Sequence, residues 1–233
     1  MLQLQHAADS LAEQIALHIA EEIIRGELVE GERIQELRFA NELDVSRGSV
    51  REALLLLQRT NLIEIYPHKG AVVSEMTVQQ VTALFDVVGL IIAQIVQRIS
   101  EHGDAKTIEK FQMMLEQLTE YYHSGQTEKF FDLIFQSLLK YKDVVGNSYL
   151  MKYYQEILPS LRRSYFLVLN CAKRELQDAL ELIKLVIMQI VSRNSQQAAI
   201  NMENFCRHLH HLVVQSLERM KQIELAWARS SRR

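Results

Sequence analysis

Turn-forming and crosslinking residues are scarce in this chain: its 233 residues include eight glycines, two prolines and two cysteines. An all-β protein or a glycine-loop nucleotide fold draws on many more turn residues, so helix is the expected state. Cys171 and Cys206 supply neither a disulfide framework nor, unaided, a four-ligand zinc site, which fits a reducing compartment. Every long apolar segment is interrupted by charged or polar residues, which argues against a membrane span. The Met-Leu-Gln-Leu-Gln start lacks the basic region of an export signal. The expectation is a cytoplasmic protein with no membrane partner. Also missing are a Gly-rich phosphate loop, a G-x-S-x-G elbow and a His-Glu-x-x-His pair, so no enzyme chemistry is expected.

What is present is enough to fold. Hydrophobic residues make up 48% and charged residues 24% of the chain, typical of a soluble globular protein, and the length suits one large core or two smaller ones. The net charge of −3 advertises no polyanionic partner. Its distribution says more. Residues 1–75 carry 7 basic side chains against 13 acidic ones, yet within 45–70 the balance reverses, with Arg47, Arg51, Arg59 and Lys69 against Glu52 and Glu64. A local basic face sits inside an acidic domain.

Apolar residues at Leu11, Ile15, Ile19, Ile23 and Ile24 recur at helical spacing, with Ser10 as N-cap and Gly26 where the helix stops. The segment from Glu27 to Arg33 leads into Ile34, and a second helix follows from Glu36 to Leu43 through Leu37, Phe39, Ala40 and Leu43. Ser46 caps a third helix with the face Val50, Ala53, Leu54 and Leu57. The period then becomes alternating: Leu62-Ile63-Glu64-Ile65 and Ala71-Val72-Val73 flank Tyr66-Pro67-His68-Lys69-Gly70, a hairpin turn. The capping-box pattern Thr77-x-x-Gln80 places a domain boundary near Glu75. Beyond it, segments 77–102, 104–123, 127–144, 148–169, 172–193 and 195–227 read as helices, broken at Gly103, Gly125, Gly146-Asn147, Asn170 and Asn194. The expected fold is mainly α: a winged helix-turn-helix over 1–75, an all-helical bundle of six or seven helices over 76–228, and a tail at 229–233.

The sharpest local signal is the start of the third helix. Ser46 and Ser49 offer hydroxyls beside backbone amides, while Arg47 and Arg51 stand one turn apart, a combination suited to phosphates and guanine edges in a major groove. A solvated, capped helix end is the plain alternative. At the hairpin tip, His68, Lys69 and Gly70 add a cation for phosphate and a residue that lets the backbone approach closely.

The run Val45-Ser46-Arg47-Gly48-Ser49-Val50-Arg51-Glu52-Ala53-Leu54, followed by Lys69-Gly70-x-x-Val73, resembles the DNA-binding domain of GntR-type bacterial transcription regulators. The usual helix has threonine and proline where Gly48 and Ser49 stand. The resemblance implies that Arg47 and Arg51 contact bases and phosphates, Ser46 and Ser49 the backbone, and Lys69 with Gly70 the wing contact; Gly48 and His68, in the same two segments, complete the DNA-binding candidates. Some relatives carry an arginine where Leu37 stands; the neighbouring Arg38 is the substitute candidate. The partners implied are double-stranded operator DNA and a second copy of the chain, since a homodimer matches a near-palindromic site.

The helical remainder is similar to the FadR-like branch, whose effector domain, often called FCD, is a six- or seven-helix bundle. Asp132-x-x-Phe135, Gly146-Asn147 and Ala198-Ala199 carry this resemblance. Many members hold a divalent metal through an Asp and three His and use it with an Arg to bind a small carboxylate. Here Asp132 remains, but Gln136 stands at the first His, and the other two fall near Ile183 and Phe205. No metal or other cofactor is expected, because too few donors survive. Cys206, His208, His210 and His211 offer a different set of ligands, though their helical spacing points the pairs in different directions. Val87 to Ala93 is apolar on every side where metal-binding relatives carry an Arg near Val88, which suits core, a dimer contact or an apolar effector pocket. Val88, Asp132, Gln136, Arg162 and Tyr165 are the effector candidates.

The expected function is a DNA-binding regulator, a repressor by resemblance, controlled by a small-molecule effector of apolar or acyl type. The alternatives are a metal-dependent sensor of small carboxylates, a winged module that binds protein instead of DNA, and an enzyme built on the bundle.

Overall fold

The computed structural model describes residues 10–169 and 172–230, so the expectations attached to Asn170, Cys171 and residues 231–233 lie outside it. The chain divides into two units, Met1–Met76 and Thr77–Arg233.

In the first unit, helix α1 (Leu11–Ile24) opens with a reciprocal cap: the Ser10 hydroxyl accepts the Glu13 amide, and the Glu13 carboxylate accepts the Ser10 amide at 2.6 Å. Ile15, Ile19 and Ile23 are buried, but Leu11, expected on the same face, is exposed. Helix α2 (Glu36–Glu42) buries Phe39 and Ala40 and turns Leu37 outward, because two residues one position apart leave little of a seven-residue helix facing inward. Helix α3 (Arg47–Gln58) packs against both through Val50, Ala53, Leu54 and Leu57. Between α2 and α3 the chain passes through Asp44 at φ 53, a left-handed conformation that a short polar side chain tolerates.

Strands β1 (Ile63–Tyr66) and β2 (Gly70–Val73) pair antiparallel from Ile63 opposite Val73 to Tyr66 opposite Gly70. The hairpin is not alone. The segment expected only to lead into Ile34 runs along β2: Gly31 and Ile34 donate to the Val73 and Ala71 carbonyls, Val73 donates back to Glu32, and Arg33 bridges Val72. The loop before α2 therefore fastens the wing to the helices.

In the second unit, α4 (Val78–His102) starts at a Thr77–Gln80 capping box. It is followed by α5 (Ala105–Ser124), α6 (Thr127–Gln136), a 3₁₀ turn (Ser137–Tyr141), α7 (Lys142–Val145), α8 (Ser148–Phe166), α9 (Lys173–Val191) and α10 (Ser195–Ser230). The single helix expected over 127–144 is thus broken. Winding Ser137–Tyr141 at three residues per turn puts Leu138 and Tyr141 on one side, where both are buried and Tyr141 stacks on Phe111 at 5.1 Å. Helix α8 runs through Pro159, which has no N–H to donate to the Gln155 carbonyl, while its neighbours Leu158 and Leu161 are buried. Helix α10 extends past residue 227, taking in the start of the expected tail.

Helix α4 packs against α8, α9 and α10, burying Val81, Phe85, Val88, Ile92, Val96 and Ile99. By length and composition it is apolar enough to cross a bilayer, contrary to the expectation that no segment would be. Its hydrophobicity serves the bundle core on one side; on the other, Val87 and Leu90 are exposed at 47% and 66%.

Candidate nucleic-acid interface and a buried polar cluster

Helix α3 begins where its sequence places it. The Ser46 side chain accepts the Ser49 amide at 3.0 Å, and the two hydroxyls meet at 2.9 Å, so both hydroxyls lie at the helix end that carries Arg47. Arg47 and Arg51 are 63% and 66% exposed, and both turn toward one carboxylate. Arg51 grips Glu36 through Nη2 to Oε2 at 2.9 Å and Nε to Oε1 at 3.4 Å; the Arg47 Nη2 lies 3.9 Å from the same Oε2. Pairing with Glu36 strengthens the hold of Arg51 on its proton. Two cations meet one anion on an open surface, leaving a net positive charge there.

Gly48 lies exposed in the first turn, and a Cβ at that position would meet nothing nearer than the Ser46 hydroxyl at 3.5 Å. His68 and Lys69 are exposed at the wing tip, His68 in the left-handed region at φ 65 and Gly70 at φ 80. The Arg33 guanidinium lies alongside Gly70, where a Cβ would stand 3.6 Å from its Nε. Arg33 is thus a wing-side cation missing from the sequence-derived set. It sits among Glu30, Gly31 and Glu32, and only the strand pairing brings it to the hairpin.

Arg38 occupies a different setting. Its Nη2 bonds Glu22 at 2.9 Å, its Nε lies 3.5 Å from Glu42, and its guanidinium stacks 4.7 Å above the Phe39 ring. His18 approaches the same two carboxylates at 3.5 and 3.4 Å. Among the described residues, His18, Glu22 and Glu42 form a group whose three ligand atoms lie within 4.8 Å of one another. Arg38 already supplies positive charge to it.

In the second unit, three of the five effector candidates converge. The Tyr165 hydroxyl donates to Asp132 Oδ1 at 2.5 Å, and Arg162 Nε reaches the same oxygen at 3.4 Å. Tyr165 is fully buried between Phe131 and Phe135, each 5.5 Å away, and Phe135 leads on to Phe205 at 6.0 Å. Burial, then the Asp132 charge, pushes the Tyr165 hydroxyl far above the ordinary tyrosine range, so it acts as a donor. Val88 is core of α4, and Gln136 closes α6 half-buried. Ile183 and Phe205 are buried and offer no ligand atom, so the residues present do not fit an Asp-and-three-His centre. The Cys206 to His211 set is dispersed: Cys206 is buried and its thiol pushed up to about 12, His208 bonds the Glu175 carbonyl, and His210 meets Thr82 and Phe85.

Three helices and a two-stranded wing define the first unit as a winged helix-turn-helix domain. More particularly, residues 11–73 match the bacterial regulatory proteins of the gntR family, so this unit is a GntR-family domain. The HTH-type transcriptional regulator YdhC of Bacillus subtilis (strain 168) is 25% identical over 103 residues, 44% of this chain; the match spans about half of that protein, 46%. Among solved structures, E. coli McbR/YncC shares the fold with a TM-score of 0.77 at 18% identity, covering 90% of this chain and 99% of its own. A GntR-type protein of Rhodococcus sp. RHA1 gives 0.67 at 17% identity, covering 89% and 99%. The likeness therefore runs through both units of the fold.

Proposed function

We propose that the chain is a DNA-binding transcription regulator of the GntR family and the FadR-like branch, acting as a cytoplasmic homodimer on an operator of two half-sites, and not as an enzyme. The observation that carries this reading is the pair Arg47 and Arg51, two-thirds exposed at the capped start of α3 and flanked by a wing tipped with Lys69. Arg33 adds a second cation beside the wing. The exposed Val87 and Leu90 of α4 supply an apolar face for a second copy. The test is titration of the purified protein into labelled duplex DNA over a series of salt concentrations. Binding should weaken linearly in log salt, because phosphate contacts release counterions. No binding to any duplex would overturn the reading.

A second reading, a winged module that binds protein, is favoured by Glu36, which engages both arginines, and by the acidic balance of residues 1–75. Duplex binding decides between the two.

The effector is proposed to be a small molecule with an anionic or acyl group, held near Asp132, Arg162 and Tyr165 against the aromatic stack, with no metal ion. Such control requires the ligand to favour one arrangement of the two DNA-reading heads over another, with repression as the default output. Mass spectrometry of small molecules retained by natively purified protein tests the ligand class. Elemental analysis finding about one transition metal per chain would overturn the metal-free assignment.

A further inference from the structure

We infer that Glu36 is a positioning residue for sequence discrimination, holding the Arg51 fork for a base edge and withholding the α3 arginines from phosphates. The inference rests on the DNA-binding reading above and assigns a role to a residue outside the basic set.

The geometry of the guanidinium carries it. Arginine presents five N–H donors in one plane. Glu36 takes the side formed by Nε and Nη2, at 3.4 and 2.9 Å, which fixes that plane while leaving the terminal edge of Nη1 and Nη2 directed elsewhere. That terminal edge is the two-donor fork that matches the O6 and N7 acceptors of guanine. A freely rotating Arg51 would bring the same donors to the groove at a larger entropic cost, so a fixed plane favours a partner with two acceptors in a set geometry.

Charge supplies the second half of the argument. Glu36 is 23% exposed, opens α2, and stands within reach of both Arg47 and Arg51. A carboxylate in that place repels any phosphate drawn to either guanidinium, whatever the DNA sequence. A base edge carries no such charge. Glu36 therefore disfavours the sequence-independent mode of binding more than the sequence-specific one, which is how discrimination by a repulsive element works.

The experiment uses the full chain and a randomised duplex library. Wild-type protein is first used to select a consensus duplex, and its affinity is then compared with that for a scrambled duplex of the same composition. Glu36→Gln, which keeps the side chain's length and removes its charge, is expected to bind the scrambled duplex at least tenfold more tightly. On that duplex the log-log salt slope should steepen by about one unit, as one more phosphate contact forms. The ratio of consensus to scrambled affinity should fall by at least tenfold. An unchanged ratio and slope in folded E36Q, with wild type selecting a consensus normally, would overturn the role of Glu36 alone. If wild type selects no sequence, the DNA-reading assignment falls and this inference with it. Should E36Q fail to fold, Glu36→Asp withdraws the carboxylate by one methylene; retention of the full wild-type ratio in E36D would then overturn the inference, and a loss of about fivefold would support it.

Discussion

The Tyr165 hydroxyl donates to Asp132 Oδ1, and Arg162 closes on that same oxygen from a second side. A carboxylate at 27% exposure is thus held by a fully buried phenol that keeps its proton. Tyr165→Phe preserves the stack with Phe131 and Phe135 and removes only the donor. It is expected to lower unfolding free energy by about 1.5–3 kcal/mol, the range for a hydrogen bond to a charged group. Urea denaturation of the two proteins measures it, and a change below a few tenths would mean that the bond contributes nothing.

Arg47→Ala and Arg51→Ala separate stability from recognition. Their pairs with Glu36 are exposed, so each substitution should cost less than about 1 kcal/mol of stability. Against a selected duplex at fixed salt, each should cost about 1–3 kcal/mol of binding where a bidentate base contact is lost. A double variant binding as well as wild type would remove α3 from the interface.

Two glycines make opposite predictions. A Cβ on Gly103 would stand 2.7 Å from the Ile99 carbonyl oxygen and 2.8 Å from Thr107 Cγ2, so Gly103→Ala should destabilise the protein by about 1–3 kcal/mol. Gly48→Ala meets only ordinary contact and should leave the melting temperature unchanged or raise it slightly. If G48A nevertheless weakens duplex binding, the DNA backbone passes close to that turn. Melting curves and the same DNA titration test both variants.

Cys206 is one source of an alkaline loss of stability, acting at lower pH than the buried Tyr165 and Tyr154 hydroxyls, whose ordinary value is 10.0. Its buried thiol keeps its proton up to about 12, against an ordinary value of 9.0 once unfolded. The unfolded chain therefore loses its proton first, and the fold is weakened as pH rises above about 9, by about 1 kcal/mol at pH 10. Cys206→Ala costs some stability through the space it leaves, but its stability should decline less steeply than wild type between pH 9 and 11. Equal slopes in denaturation series would place the alkaline effect elsewhere.

Periodicity and caps made much of this fold legible. Ser10 and Ser46 as caps, and Thr77 with Gln80 as a capping box, are short-range signals, and the helices start where they stand. The break at Ser137–Tyr141 was hidden because its cause is the distant Phe111, against which Tyr141 packs. Leu11 and Leu37 fit a helical face by spacing but lie beyond the reach of the small core. The candidate interface divides the same way. Arg47 and Arg51 follow from one contiguous run and Lys69 from the turn signal after it, whereas Arg33 and Glu36 join them only through strand pairing and an ion pair that sequence spacing does not encode. Convergence of Asp132, Arg162 and Tyr165 likewise depends on how α6 meets α8, which no local pattern specifies.

The backbone bonds between Gly31–Ile34 and β2 bear on how the N-terminal domain would meet a duplex. A hairpin stitched to the loop before α2 cannot swing as a free flap, so its lysine keeps a set offset from the reading helix. A template of fixed span surrenders little freedom on docking, and it penalises any groove whose width fails to match.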